Sequence, residues 1–242
     1  KLKAYLRAAN CRSFYFIGIS GVGMRAVAKL LLALGYEVHG SDLAPCEEVR
    51  HWSDAGLIKL HTVHDEKNVA MADCVIYSSA IKAVNPEYQA AIRLEKTLYH
   101  RSEMLSLIAG CFKLIAVSGT HGKTTTSAML VHILRENKLQ PSFCVGASYA
   151  GKIIAEIDSG DFFVLEADES DGSFLTYTPD VSVVTNINYD HMENYQGSAQ
   201  KYEESFACFI QKAKDFALIT AGSKGVEKLP VEIKRQVRMV GG

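Results

Sequence analysis

Apolar positions along this chain alternate between short continuous runs and stretches spaced three and four residues apart, and that alternation dictates an architecture. Residues 14–19 form a strand-like run ending in glycines, after which Met24, Val27, Ala28, Leu31 and Leu34 recur at helical spacing until Gly35 stops them. Residues 36–41 read as the next strand, a helix is expected after Pro45, and residues 74–78 read as a further strand. Pro86, suited to a first helical turn, opens a helix to about Lys96. Strands alternating with helices in this way predict a mostly parallel sheet covered by helices.

The pattern pauses at residues 109–113 and restarts with a strand at 114–118, a glycine turn and a helix from about 123 to 137. Residues 162–165 and 181–185 are short apolar runs of the kind found in strands buried on both faces. Tyr202, Phe206, Phe209, Ile210 and Ala213 make a helical stripe, and Phe216–Thr220 reads as one more strand. The stretch 223–242 carries Lys224, Lys228, Lys234, Arg235 and Arg238 and is expected as a surface helix followed by a strand. No internal repeat is visible. The chain is therefore expected to hold two α/β domains, residues 1–112 and 113–242.

Composition narrows the function. With 26 Lys and Arg against 27 Asp and Glu in 242 residues, the chain has no bulk attraction for nucleic acid or an anionic membrane, so anion recognition must be local. No apolar run reaches the roughly 18 residues of a membrane span, and the N-terminus lacks the apolar core of a signal peptide. The six cysteines, at 11, 46, 74, 111, 144 and 208, have no metal-ligand spacing and read as small buried hydrophobes in a reducing compartment. A cytoplasmic protein that binds no nucleic acid and inserts in no membrane is expected.

Four segments carry chemistry. Gly119, Thr120, His121, Gly122, Lys123, Thr124 and Thr125 stand between a predicted strand and a predicted helix. There a glycine loop turns backbone N–H groups toward phosphate, Lys123 reaches the terminal phosphates and Thr124 can ligate Mg²⁺. This is a P-loop of spacing GxxGKT, with Val117 where the general motif has its first glycine. Glu166, Asp168, Glu169 and Asp171 follow the 162–165 run, and Glu166 and Asp168 share a face if the strand continues. A Mg²⁺–nucleotide site needs such a carboxylate. Asn186, Asp190 and His191 follow the next strand, where His191 is either a metal ligand or an ordinary surface histidine. Gly18, Gly21 and Gly23 open the first helix, with Ser20 in place of the second glycine of a dinucleotide fingerprint and Asp42 where a ribose-binding acid would stand. A diphosphate-bearing nucleotide is expected there, with NAD as the weaker alternative.

The segments GISGVGM at 18–24, SSAI at 78–81, GTHGKTTT at 119–126, EADESDGSF at 166–174 and TNINYDHME at 185–193 together resemble the Mur ligases, and within them the alanine-adding branch. The resemblance covers almost the whole chain. It implies an N-terminal Rossmann-like domain for UDP, a central P-loop domain for ATP and a C-terminal domain for the amino acid. It also implies ATP-dependent ligation of L-alanine to the carboxylate of UDP-N-acetylmuramate through an acyl phosphate, for peptidoglycan synthesis, with no redox cofactor. Carried over by residue, Lys123 would stabilise the transferred phosphoryl, and Thr124 with Glu166 would bind Mg²⁺. His191 would serve a second Mg²⁺, and Asn186 would lie beside the nucleotide. His121 and Ser173 would face the muramate, and Gly21, Val22, Gly23, Asp42, Ser78, Ser79 and Ile81 the uridine and diphosphate. The chain departs from sister ligases in having no lysine at 202–206 where they carry a carbamylated one. The family runs to about twice this length, so the resemblance extends to an incomplete central domain and implies binding without ligation by these residues alone. A tripeptide-recycling ligase, a non-catalytic UDP-sugar-binding protein and a nicotinamide-dependent oxidoreductase are the competing expectations. Oligomeric state is not legible.

Overall fold

The computed structural model describes residue 6 and residues 11–146, 154–170, 172–190 and 192–241. The chain forms two compact units, Lys1–Ile108 with Ala155–Ile157, and Ala109–Ile154 with Asp158–Gly242.

The first unit is built on a five-stranded parallel sheet of β1 (Ser13–Ile17), β2 (Glu37–Ser41), β3 (Ile58–His61), β4 (Cys74–Tyr77) and β5 (Thr97–His100), in the order β3-β2-β1-β4-β5. Its helices are α1 (Val22–Ala33), α2 (Glu47–Asp54), α3 (Pro86–Arg93) and α4 (Arg101–Ala109). β1 lies in the centre, and all five of its residues are buried, which accounts for its uninterrupted apolar run. Asn85 caps α3 by accepting from the backbone N–H groups of Glu87 and Tyr88, with Pro86 in the first turn where its missing N–H costs nothing. Sequence periodicity passed over β3, β5 and α4. β3 and β5 are four-residue edge strands with mixed exposure, so neither carries a continuous apolar run.

One expectation about the cysteines is corrected here. Cys11 and Cys74, both buried, form a disulfide with Cα atoms 5.8 Å apart. The cause is topological: β1 and β4 are sheet neighbours with Phe14 opposite Cys74, so Cys11, two residues before β1, meets the first residue of β4 across 63 positions of sequence. Of the other four, Cys144 is buried, Cys46 and Cys111 are half-buried, and Cys208 is exposed.

The second sheet and its helices comprise β6 (Lys113–Ser118), α5 (Lys123–Glu136), β7 (Ser142–Val145), β8 (Ile154–Glu156), β9 (Phe162–Glu166), β10 (Val181–Val184), α6 (Ala199–Gln211), β11 (Phe216–Thr220), α7 (Lys224–Lys228), α8 (Val231–Gln236) and β12 (Val237–Val240). The sheet order is β12-β11-β10-β6-β9-β7-β8, with the pairs from β12 through to β7 parallel. β6 lies between β10 and β9, so the loops leaving these three strands emerge side by side at one sheet edge, the usual ligand edge of a parallel sheet. The buried Phe174 ring packs against those of Phe206 and Phe209. Among the described residues, no helix is long and apolar enough to cross a membrane.

Candidate nucleotide sites

In the second unit, β6 ends at Ser118 and the chain turns through Gly119 (φ +132°) and Gly122 (φ +81°) before α5 begins at Lys123. Glycine at 119 is required twice over. Its φ lies in the left-handed region, and a Cβ there would stand 2.2 Å from Thr185 Oγ1. The loop is pinned from the segment after β10. The Thr120 N–H donates to the Asn186 carbonyl (3.1 Å), and the Thr120 hydroxyl bonds with the Asn188 backbone and with the Tyr202 hydroxyl. The Asn186 side chain accepts from the His121 N–H (3.1 Å) and donates to the His121 carbonyl (2.8 Å). Asn186 thus lies against the loop, with both ends of its amide engaged by His121 backbone. The His121 ring is exposed, 3.7 Å from an Asp190 oxygen.

Two side chains of the first turn of α5 point to carboxylates. Thr124 donates its hydroxyl to Glu166 Oε1 at 3.0 Å, and Glu166 Oε2 accepts from the Gly146 N–H at 2.8 Å. Lys123 Nζ donates to the Gly119 carbonyl (2.9 Å) and to Glu169 Oε2 (2.8 Å). β9 stops at Glu166, so Asp168 does not share the Glu166 face. It turns to bond Ser170 and sits 3.6 Å from Lys123. Burial pushes the Glu169 carboxyl up, and the Lys123 ammonium pulls it back only in part. Thr125 is exposed, and Ser173 is half-buried at the start of the 3₁₀ turn Ser173–Thr176. Asp171 and His191 lie outside the described residues.

In the first unit, Gly21 stands at the N-cap of α1, and its N–H donates to the Gly18 carbonyl at 3.2 Å. Asp42, just past β2, accepts from the Ser20 N–H (2.9 Å) and the Ala44 N–H (3.0 Å), so its carboxylate shapes this glycine turn. Val22 is exposed on the turn, and Gly23 is covered by Arg101: a Cβ on Gly23 would lie 2.9 Å from Arg101 Nη1. After β4, the Ile81 N–H donates to the Ser78 carbonyl (3.0 Å), with Ser79 exposed between them and Ile81 packed on the core. Sequence reasoning missed Glu169 and Arg101. Glu169 was one of four acids in six residues with nothing to mark it, and Arg101 reaches Gly23 only through the fold.

Residues 13–113 match the Mur ligase family, catalytic domain, and residues 117–240 the Mur ligase middle domain. A UDP-N-acetylmuramate--L-alanine ligase of Acidithiobacillus ferrooxidans is 42% identical over 208 residues, 86% of this chain and 45% of that protein. The enzyme so named from Xylella fastidiosa is 39% identical over 230 residues, 94% of this chain and 48% of that one. The crystal structure of UDP-N-acetylmuramate-alanine ligase from Thermotoga maritima superposes with a TM-score of 0.79 at 29% identity, covering 90% of this chain and 51% of that chain. This chain spans about half the length of the curated relatives it matches.

Proposed function

The chain belongs to the Mur ligase family, and from that premise we propose that it carries the nucleotide-sugar and ATP sites of an enzyme joining L-alanine to the carboxylate of UDP-N-acetylmuramate. The observation that carries the reading is the pairing across the phosphate loop, Thr124 with Glu166 and Lys123 with Glu169, at the mouth of the central strand. The names of relatives at about 40% identity support alanine as the amino acid.

The donor set suits Mg²⁺. A hydroxyl and a carboxylate 3.0 Å apart are hard oxygen ligands, and among the described residues no cluster of three or more acidic, histidine or cysteine side chains is arranged as a metal cage. Mg²⁺ is commonly held in this way, by one or two protein oxygens with phosphate and water completing the shell. Thr124 and Glu166 would hold it, His191 would serve a second ion, and Mg²⁺ would supply charge neutralisation between the β- and γ-phosphates. The backbone N–H groups of 119–125 and the start of α5 receive the phosphates, with Asn186 beside the nucleotide. Lys123 meets the charge on the γ-phosphoryl as it passes to the muramate carboxylate, where His121 and Ser173 lie. The acyl phosphate so formed is opened by the amine of alanine, and inorganic phosphate leaves. In residues 1–112, Gly21, Val22 and Gly23 receive the diphosphate, and Asp42, Ser78, Ser79 and Ile81 line the uridine end. Residues 113–242 serve ATP. ATP and a nucleotide sugar as substrates place this work in the cytoplasm.

Calorimetric titration of the 242-residue polypeptide with UDP-N-acetylmuramate, ATP–Mg²⁺ and NADH tests the reading. Binding of the first two, weakened ATP binding in Lys123→Ala and no response to NADH are expected. NADH binding, or ATP binding indifferent to Lys123, overturns it.

A further inference from the structure

We infer that Glu169 is a positioning residue for the phosphate-loop lysine, a fixed anionic post that aims the Lys123 ammonium at the terminal phosphoryl group. The inference rests on the reading of this loop as an ATP site and adds a residue to it.

An ammonium has three N–H donors. On Lys123, one goes to the Gly119 carbonyl at 2.9 Å and one to Glu169 Oε2 at 2.8 Å, which leaves a single donor for an incoming anion. Asp168, at 3.6 Å, is too distant for a hydrogen bond. The Glu169 side chain is wholly buried, so it cannot swing out to follow the lysine. Its backbone is held as firmly. The Glu169 carbonyl accepts from the Gly172 N–H (3.0 Å) and from the Tyr195 hydroxyl, and the Tyr195 ring packs edge-on to Tyr202 at 4.8 Å. The Tyr202 hydroxyl in turn bonds Thr120 of the phosphate loop, so the carboxylate and the loop share one frame.

The second oxygen of Glu169 makes the functional reading stronger than a structural one. Glu169 Oε1 is buried and has no hydrogen-bond partner among the described residues. A buried carboxylate with half its acceptor capacity unused costs stability, and an apolar residue at such a place is often neutral or better. What the charge does here is fix a lysine. Donors whose direction is set before the reaction need no reorganisation as charge develops on the group they meet, which is where a phosphate loop contributes most. The lone free N–H of Lys123 therefore distinguishes a nucleotide with a terminal γ-phosphate from one without.

The test is the ratio of ATP–Mg²⁺ to ADP–Mg²⁺ affinity, measured by calorimetry on the 242-residue chain. Glu169→Gln keeps the shape and an acceptor but removes the charge, and it should lower the preference for ATP by about tenfold while leaving ADP affinity unchanged. In a Lys123→Met background the same substitution should change nothing, since the coupling runs through the lysine. Glu169→Asp, which keeps the charge but withdraws it by one methylene, should show the same loss and serves if the glutamine variant does not fold. An unchanged ratio in the Gln and Asp variants, with wild-type ATP binding intact, overturns the positioning role and leaves the nucleotide site standing. Wild-type protein that binds no ATP–Mg²⁺ overturns both.

Discussion

Gly119 and Gly23 both occupy turns proposed to bind phosphate, yet the surroundings make them opposite in kind. At Gly119 a methyl group would meet Thr185 Oγ1 at 2.2 Å and the Asn186 backbone at 2.9 and 3.0 Å, on a backbone already at φ +132°. None of these neighbours is the free end of a flexible chain. Gly119→Ala is expected to destabilise the second unit by about 3 kcal/mol and to abolish ATP binding, read by urea unfolding and calorimetry. At Gly23 the obstacle is the Arg101 guanidinium, the far end of a flexible side chain, and alanine suits a helix better than glycine. Gly23→Ala is expected to leave stability within about 0.5 kcal/mol of wild type while moving Arg101 and weakening UDP-N-acetylmuramate about tenfold. A variant with unchanged affinity would remove Gly23 from the proposed diphosphate site. This contrast also shows what sequence can reveal about a site. Gly119, Gly122, Lys123 and Thr124 stand out in the sequence because a phosphate-loop pattern calls for them within one short segment between a strand and a helix. Glu169 does not, because burial alone separates it from Glu166 and Asp168, and burial is a property of the fold.

At the scale of elements, the first unit is bound together by one carboxylate. Glu87, wholly buried in the first turn of α3, accepts from the Tyr15 hydroxyl on β1 (2.6 Å), the Ser41 hydroxyl on β2 (2.5 Å) and the Asn68 amide (2.8 Å), and it pairs with His64 (2.7 Å). Glu87→Leu takes the shared acceptor from all four and leaves the buried Tyr15 hydroxyl without its acceptor, while Ser41 and His64 keep each other (3.0 Å) and Asn68 keeps the Val63 carbonyl (3.0 Å). It is expected to cost about 3 kcal/mol, whereas an exposed acid such as Glu66 should cost little. Burial, then the bond to Glu87, raises the Tyr15 phenol above its ordinary value of 10.0. The folded chain thus holds this proton more tightly than the unfolded one. Stability from it is complete below about pH 10 and is lost as pH rises beyond that toward the folded value. Tyr15→Phe should therefore flatten the fall in stability on the alkaline side, followed in urea between about pH 8 and about pH 11. The two sheets show why some elements escaped the sequence. Central β1, β4, β6 and β9 are buried on both faces and carry continuous apolar runs, but edge strands β3 and β5 carry Lys59, His61, Thr97 and His100. α4 follows β5 without a break, and its only start signal is Glu103, whose carboxylate accepts from the His100 N–H at 2.7 Å.

For the whole molecule, the consequence of two compact units is that a perturbation confined to one can be read against the other. The Cys11–Cys74 bond lies entirely within the first unit, as does the single tryptophan, Trp52 on α2, which is 8% exposed. The phosphate loop, Glu166 and Glu169 lie in the second. A cross-link spanning 63 residues restricts the unfolded chain, and such bonds stabilise by about 2–4 kcal/mol. In a reducing compartment the pair would stand as two thiols, and the protein there would carry the lower stability of that form. Adding a phosphine reductant is thus expected to move the Trp52 fluorescence transition to lower urea while ATP–Mg²⁺ affinity in native buffer stays as it was. Replacing both cysteines by serine should place the transition at the lower position from the start and remove its dependence on reductant. A Trp52 transition indifferent to reductant in the wild-type chain would show that the bond contributes nothing to this unit, and a loss of ATP affinity on reduction would show that its influence reaches the phosphate loop.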